Sequence, residues 1–117
     1  MLIVEDDPAV GQVIEDILRD AGVSPVRVQT DTAAYSALSI KPTFKAIIVD
    51  INLGKGTTGF DVARFARQKA PEITVVYVSG QSSKDMFRAF GVPESRFVQK
   101  PFGRDDLLDA LGLHQPA

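Results

Sequence analysis

Ala46-Ile47-Ile48-Val49-Asp50 decides how this chain folds: an unbroken apolar run ends on a single acid. A strand with one solvated face alternates polar and apolar residues. A run without interruption suits a central parallel strand, which helices cover on both faces. Working outward, Leu2-Ile3-Val4 is a second apolar run, ending on Glu5-Asp6-Asp7, and Phe97-Val98-Gln99 is a third, ending on Lys100-Pro101. Ile73–Val78 is β-branched and aromatic and reads as another central strand. Val26–Val28 reads as a weaker one.

Helical patterns separate these runs. Asp7 before Pro8 suits an N-cap followed by proline at the first helical position. Val10, Val13, Ile14, Ile17, Leu18 and Ala21 follow at helical spacing, and Gly22 marks the stop. A second helix spans about Asp31 to Ile40, with Ala34, Ala37 and Leu38 inward. Asn52–Gly59 is glycine-rich and reads as a loop. The helix after it, to about Lys69, is stopped by Pro71. Ser82–Phe90 is a short helix ended by Gly91 and Pro93, and Arg104–Leu111 carries a Leu107, Leu108, Leu111 stripe. Strands and helices therefore alternate strictly. Right-handed crossovers then give an α/β fold, a doubly wound parallel sheet in one domain over residues 1–117.

Open sheets of this kind bind ligands beyond the C-terminal ends of their strands. Those ends carry Glu5, Asp6 and Asp7, then Asp50, then Lys100. Carboxylates crowded together without a cation repel one another. With Mg²⁺ and a phosphoryl group, the same cluster becomes a phosphorylation site.

Composition removes other chemistries. At 117 residues the chain is long enough for one domain and too short for two. A net charge of −2 with no basic run gives nucleic-acid binding little electrostatic support. The absence of cysteine excludes disulfides, thiolate catalysis and cysteine-ligated zinc. The single histidine, His114, lies in the tail, which removes histidine-based catalysis. The apolar start runs straight into three acids, unlike a signal peptide or a membrane span. A soluble cytoplasmic protein that binds neither nucleic acid nor membrane is the expectation.

Four features stand in order: the acids after Leu2-Ile3-Val4, the lone acid of Ile47-Ile48-Val49-Asp50-Ile51-Asn52-Leu53, the hydroxyl of Val78-Ser79-Gly80, and Gln99-Lys100-Pro101-Phe102. Together they resemble the receiver domain of two-component response regulators, over nearly the whole chain. The resemblance implies a flavodoxin-like fold with strand order 2-1-3-4-5. It implies that Asp50 is a phosphoacceptor that attacks a phosphohistidine on a histidine kinase or histidine phosphotransfer protein, forming an acyl phosphate. It implies Mg²⁺ held by Asp6 directly and Glu5 in the outer shell, with Asp50 and the Asn52 backbone carbonyl completing the ligands. Mg²⁺ takes oxygen ligands and keeps several waters, so such a shared set is chemically sensible. Asp7 is better read as the helix cap.

By the same resemblance, Ser79 donates to a phosphoryl oxygen, with Gly80 leaving room beside it. Lys100 pairs with the carboxylate before phosphorylation and with the phosphoryl oxygen afterwards. The Lys100-Pro101 bond is implied to be cis, aiming the lysine. Phe97 takes the position of an aromatic switch residue, although a core aromatic on a strand is an equal reading. Asn52 and Gln81 flank the path of the attacking water and would set the phosphoryl lifetime. The chain is then not an enzyme but a Mg²⁺-dependent phosphoacceptor with slow self-dephosphorylation.

The sequence departs from the family pattern in places. Leu53-Gly54-Lys55-Gly56-Thr57-Thr58 stands where the family has Pro-Gly, and is about one residue longer. Gly91-Val92-Pro93-Glu94-Ser95-Arg96 replaces an Ala-rich helix end and is similar to some α-proteobacterial stand-alone regulators and hybrid kinases. The first strand starts almost at Met1, so a few residues of a longer protein are expected before it. No output domain is expected after Leu111, so output passes through a partner, with a homodimer through the helix four–strand five–helix five face as one option. Competing readings are a pseudo-receiver scaffold that takes no phosphate, a receiver fragment of a larger regulator or hybrid kinase, and a Mg²⁺-dependent phosphohydrolase. The last needs an acid two residues after the nucleophile, where Asn52 stands. A flavodoxin-like cofactor binder is disfavoured, because no Gly/Ser/Thr-rich phosphate loop follows the first strand.

Overall fold

The structure, a computed structural model, describes residues 1–40, 44–53, 59–80 and 83–113. Its elements are β1 (Leu2–Val4), α1 (Pro8–Asp20), β2 (Val26–Val28), α2 (Asp31–Ile40), β3 (Ala46–Asp50), α3 (Gly59–Lys69), β4 (Thr74–Ser79), α4 (Lys84–Phe90), β5 (Arg96–Gln99) and α5 (Arg104–Leu111). The strands form one sheet in the order β2-β1-β3-β4-β5, and every pairing is parallel. The flavodoxin-like order expected from the sequence is the observed one.

Alternate strand residues face opposite sides of a sheet, and each side has its own core. Leu2, Val4, Ile47, Val49, Val75 and Tyr77 face α2 and α3. Ile3, Ile48, Val76 and Val78 face α1 and α5, which contribute Ile14, Leu18, Leu107 and Leu111. Burial on both sides explains why β3 reads as an unbroken apolar run; all five of its residues are buried.

Local signals explain the helix ends. Asp7 caps α1, its carboxylate accepting from the Ala9 N–H at 2.9 Å, with Pro8 in the first turn. Gly112 ends α5 in the left-handed region at φ 72°, a conformation that favours glycine.

Some boundaries and faces differ from the sequence reading. β4 runs from Thr74 to Ser79, one residue later than expected, and α4 starts at Lys84 rather than Ser82. Val13 was expected in the apolar stripe of α1, yet it is 49% exposed, because Gly11, Ile14 and Leu18 form the buried line. α4 buries no residue completely, and its Phe90 is 55% exposed. Gln81, His114 and Gly54–Thr58 lie outside the described residues. Among the described residues, no helix is long and apolar enough to cross a membrane.

The register matters most for function. Val4 pairs with Val49, Asp50 with Val78, and Ser79 with Gln99. Glu5, Asp50, Ser79 and Lys100 therefore leave four adjacent strands within about one residue of a common line.

Candidate functional site

Asp50 is the last residue of β3, and its side chain is only 6% exposed. Both carboxylate oxygens are engaged. Oδ1 accepts the Asn52 N–H at 3.0 Å, and Oδ2 accepts Lys100 Nζ at 3.1 Å. Lys100 follows β5 directly. Its backbone N–H donates to the Ser79 carbonyl at 2.7 Å, extending the β4–β5 ladder by one residue, and its peptide bond to Pro101 is cis.

The same ammonium lies 2.8 Å from Glu5 Oε1. That contact is an ion pair off the hydrogen-bonding direction, and the buried Oε1 has no aligned donor. Glu5 is fixed from its other side. Its backbone N–H donates to the Val28 carbonyl at 3.1 Å, and Oε2 accepts the Asp7 N–H in a long 3.3 Å bond. Only 1% of Glu5 is exposed. Burial, and next the neighbouring Asp50 carboxylate, push its carboxyl up to about 7, with Lys100 opposing. Burial pulls Lys100 down, but Glu5 and Asp50 outweigh it and raise the ammonium above its ordinary value.

Glu5, Asp6 and Asp50 each offer a carboxylate oxygen, and these atoms all lie within 4.8 Å of one another. Asp6 is exposed while the other two are buried. The set suits Mg²⁺. All its donors are oxygens, its open side leaves room for the waters Mg²⁺ keeps, and Glu5 Oε1 lacks an aligned proton donor.

On the other side of Asp50, Ser79 is fully buried at the end of β4. Its hydroxyl donates to Ser83 Oγ at 2.9 Å. Asn52 Nδ2 donates to Ser79 Oγ at 3.1 Å and reaches Ser83 Oγ at 3.5 Å. The sequence reading missed Ser83. A serine just before a helix signals an N-cap, and nothing in the sequence says that its hydroxyl turns inward instead. Gly80 leaves open space, since a Cβ there would meet nothing within 4 Å. Gly59 is the opposite case: a Cβ would come 2.1 Å from the Asp50 carbonyl oxygen, so α3 starts directly against the end of β3.

Phe97 is half-buried, and its ring centroid lies 5.5 Å from that of Phe87. Phe87 in turn meets Tyr77 at 5.6 Å, and Tyr77 meets Phe60 at 5.3 Å. The Tyr77 hydroxyl accepts the Val92 N–H at 3.1 Å, tying β4 to the turn after α4. The structure thus brings Glu5, Asp6, Asp50, Asn52, Ser79 and Lys100 to one edge, with Phe97 one strand away in an aromatic row.

The response regulator receiver domain family matches residues 1–112, and the chain belongs to that family. The family is one of signalling domains in two-component systems, generally non-catalytic, whose members bind Mg²⁺ at an acidic pocket and interact with histidine kinases or phosphotransfer proteins. An NtrX-like response regulator of Rickettsia bellii is 29% identical over 113 residues, covering 95% of this chain and 23% of that protein. The photosynthetic apparatus regulatory protein RegA of Rhodovulum sulfidophilum is 29% identical over 112 residues, covering 95% of this chain and 60% of that protein. The chain thus spans about a quarter of the length of the NtrX-like relatives. Among solved structures, a receiver protein from Sinorhizobium medicae superposes with a TM-score of 0.88 at 28% identity, covering 96% of this chain and 90% of the other.

Proposed function

We propose that Asp50 accepts a phosphoryl group from a histidine kinase or histidine phosphotransfer protein, and that residues 1–117 act as one cytoplasmic receiver unit. The observation that carries this reading is Asp50 itself: a nearly buried carboxylate held between the Lys100 ammonium and the Glu5–Asp6 acids. A carboxylate oxygen attacks phosphorus as the bond from phosphorus to the imidazole nitrogen breaks. The imidazole keeps that electron pair and takes a proton there. Lys100 neutralises Asp50 beforehand and is close enough to follow the charge onto a phosphoryl oxygen. Ser79 donates to another phosphoryl oxygen, and the open space at Gly80 supports an approach from that side.

Asp6, Glu5, Asp50 and the Asn52 carbonyl would hold Mg²⁺, which supplies positive charge against the incoming phosphoryl oxygens. Asn52, already hydrogen-bonded at the site, and Gln81 tune the lifetime of the acyl phosphate. Their amides can orient a water and are too weakly basic to deprotonate it. Hydrolysis is then slow and unaided by a base. Phe97 acts as the switch aromatic, and the α4–β5–α5 face offers a surface for a partner or a homodimer. Intact-mass measurement after acetyl phosphate and Mg²⁺ tests the assignment. One added phosphate in the wild type and none in Asp50→Asn is expected; undiminished labelling of Asp50→Asn overturns it.

A further inference from the structure

Ser83 stands at the N-cap position of α4, where a serine hydroxyl ordinarily accepts the N–H of the second or third helical residue. It does not do so here. Its backbone is right-handed helical (φ −92°, ψ −3°) rather than extended, and its side chain makes no cap hydrogen bond. Ser83 is 5% exposed, and its Oγ accepts instead from Ser79. Among the described residues, the first turn of α4 lacks a cap from the Ser83 side chain as a consequence. This helix has seven residues and none of them is buried; it is held by partly buried Met86 and Phe87 and by the Phe90 ring.

A hydroxyl carries one proton to donate. While the Ser79 proton points at Ser83, it cannot reach a phosphoryl oxygen on Asp50. Donation from Ser79 to a phosphoryl oxygen therefore requires the Ser79→Ser83 bond to break, which leaves the Ser83 oxygen available to the first-turn amides of α4. We propose that Ser83 is a positioning residue that holds the Ser79 hydroxyl away from Asp50 until phosphorylation, and that the freed Ser83 hydroxyl then caps α4. This inference rests on the reading of Asp50 and Ser79 given above. The exchange gives up the Ser79–Ser83 bond and the long Asn52–Ser83 contact, makes a phosphoryl and a cap hydrogen bond, and requires Ser83 to rotate into the extended region that N-caps adopt. The state of the site is thereby transmitted to α4 through the side chains themselves.

The test is amide hydrogen exchange at Asp85 and Met86, the second and third residues of α4, on the full chain with Mg²⁺. In Ser79→Ala without any phosphodonor, Ser83 keeps only the long 3.5 Å contact from Asn52 Nδ2. Exchange at both amides should then slow about fivefold relative to the wild type, the worth of a side-chain cap. The double variant Ser79→Ala/Ser83→Ala should lose that slowing. In the wild type, acetyl phosphate should produce the same slowing, with the phosphorylated fraction read by intact mass. Ser83→Ala should accept phosphate faster than the wild type with no change at these amides, and Ser83→Thr should restore wild-type behaviour in both. Unchanged exchange in unphosphorylated Ser79→Ala overturns the inference, as does a wild-type labelling rate in Ser83→Ala. If no variant takes phosphate, the proposed function fails, while the phosphate-free Ser79→Ala arm still decides the role of Ser83.

Discussion

One ammonium balances two buried carboxylates at the strand ends, and the consequences can be worked out residue by residue. Lys100 Nζ touches Glu5 Oε1 and Asp50 Oδ2, both on nearly inaccessible side chains. Replacing it by an apolar side chain leaves those acids uncompensated. Lys100→Met should cost about 2 kcal/mol in metal-free protein, the scale of a hydrogen bond to a charged group. Millimolar Mg²⁺ should restore part of that loss, because a cation binding only the folded state stabilises it. Urea melts with EDTA or Mg²⁺ measure both, and a wild-type midpoint for the variant in EDTA would exclude the balancing role. Glu5 gives the opposite sign. Folding raises its carboxyl from 4.5 to about 7, so the folded metal-free protein holds that proton more tightly than the unfolded chain. This contribution is fully present below pH 4.5 and is lost as pH rises through about 7. Glu5→Gln should flatten that decline in EDTA-treated protein between pH 6 and 8, read from the same melts at each pH; an equal slope in wild type and variant would refute it. These residues were legible in the sequence because each directly follows a strand-like run. The partner of Ser79 was not, since whether Ser83 caps a helix or bonds to its neighbour depends on a hydroxyl rotamer and a backbone angle.

At the scale of elements, what fixes Asp50 is the contact between the end of β3 and the start of α3. The Gly59 N–H donates to the Ile51 carbonyl at 3.2 Å, and no side chain fits between them. Gly59→Ala should shift one element against the other, costing about 2 kcal/mol as overpacking does, and should slow labelling of Asp50 by acetyl phosphate. Gly112→Ala supplies the contrast. Its left-handed φ makes a side chain unfavourable by about 1 kcal/mol, yet it lies at the far end of α5 and should label at the wild-type rate. Equal labelling rates in the two variants would show that the α3–β3 contact does not set the site. The sequence indicated a glycine-rich loop before α3 but could not say which glycine lies against backbone, because that is a tertiary fact. Element identity was read correctly wherever a pattern was strong: β1 and β3 as apolar runs, α1 from its cap and spacing, α5 from its leucines. The larger misplacement, two residues against one for β4, belongs to α4, whose aromatics pack sideways into the Phe97–Phe87–Tyr77 row and build no buried stripe for a periodicity to reveal.

Across the whole molecule, the sheet divides the protein into unequally held parts. α1 and α5 close one face with Ile14, Leu18, Leu107 and Leu111, and α2 and α3 close much of the other with Ala34, Leu38, Val62 and Ala66. α4 joins that second face through partly buried Met86 and Phe87 and through the Phe90 ring, 5.8 Å from that of Phe60. Local stability follows buried apolar contact, so amide exchange should be fastest in α4 among the helices and slowest in β3 and β4. Phosphorylation adds charge at one point, and the region held least should move most. Ser79 would turn toward the phosphoryl group and Phe97 would rotate toward the space it leaves, while Phe87 carries the change to α4. Amide shifts on phosphorylation should therefore cluster between Ser79 and Leu111, apart from those touching Asp50, with α2 nearly silent. Phe97→Ala should keep the labelling of Asp50 and shrink the shifts in α4, since Phe97 packs on Phe87 and touches no site carboxylate. Shifts confined to residues around Glu5, Asp6 and Asp50 would reject a switch and leave a domain that only passes phosphate on. Shifts spread evenly over both faces would reject the unequal hold on which the prediction depends.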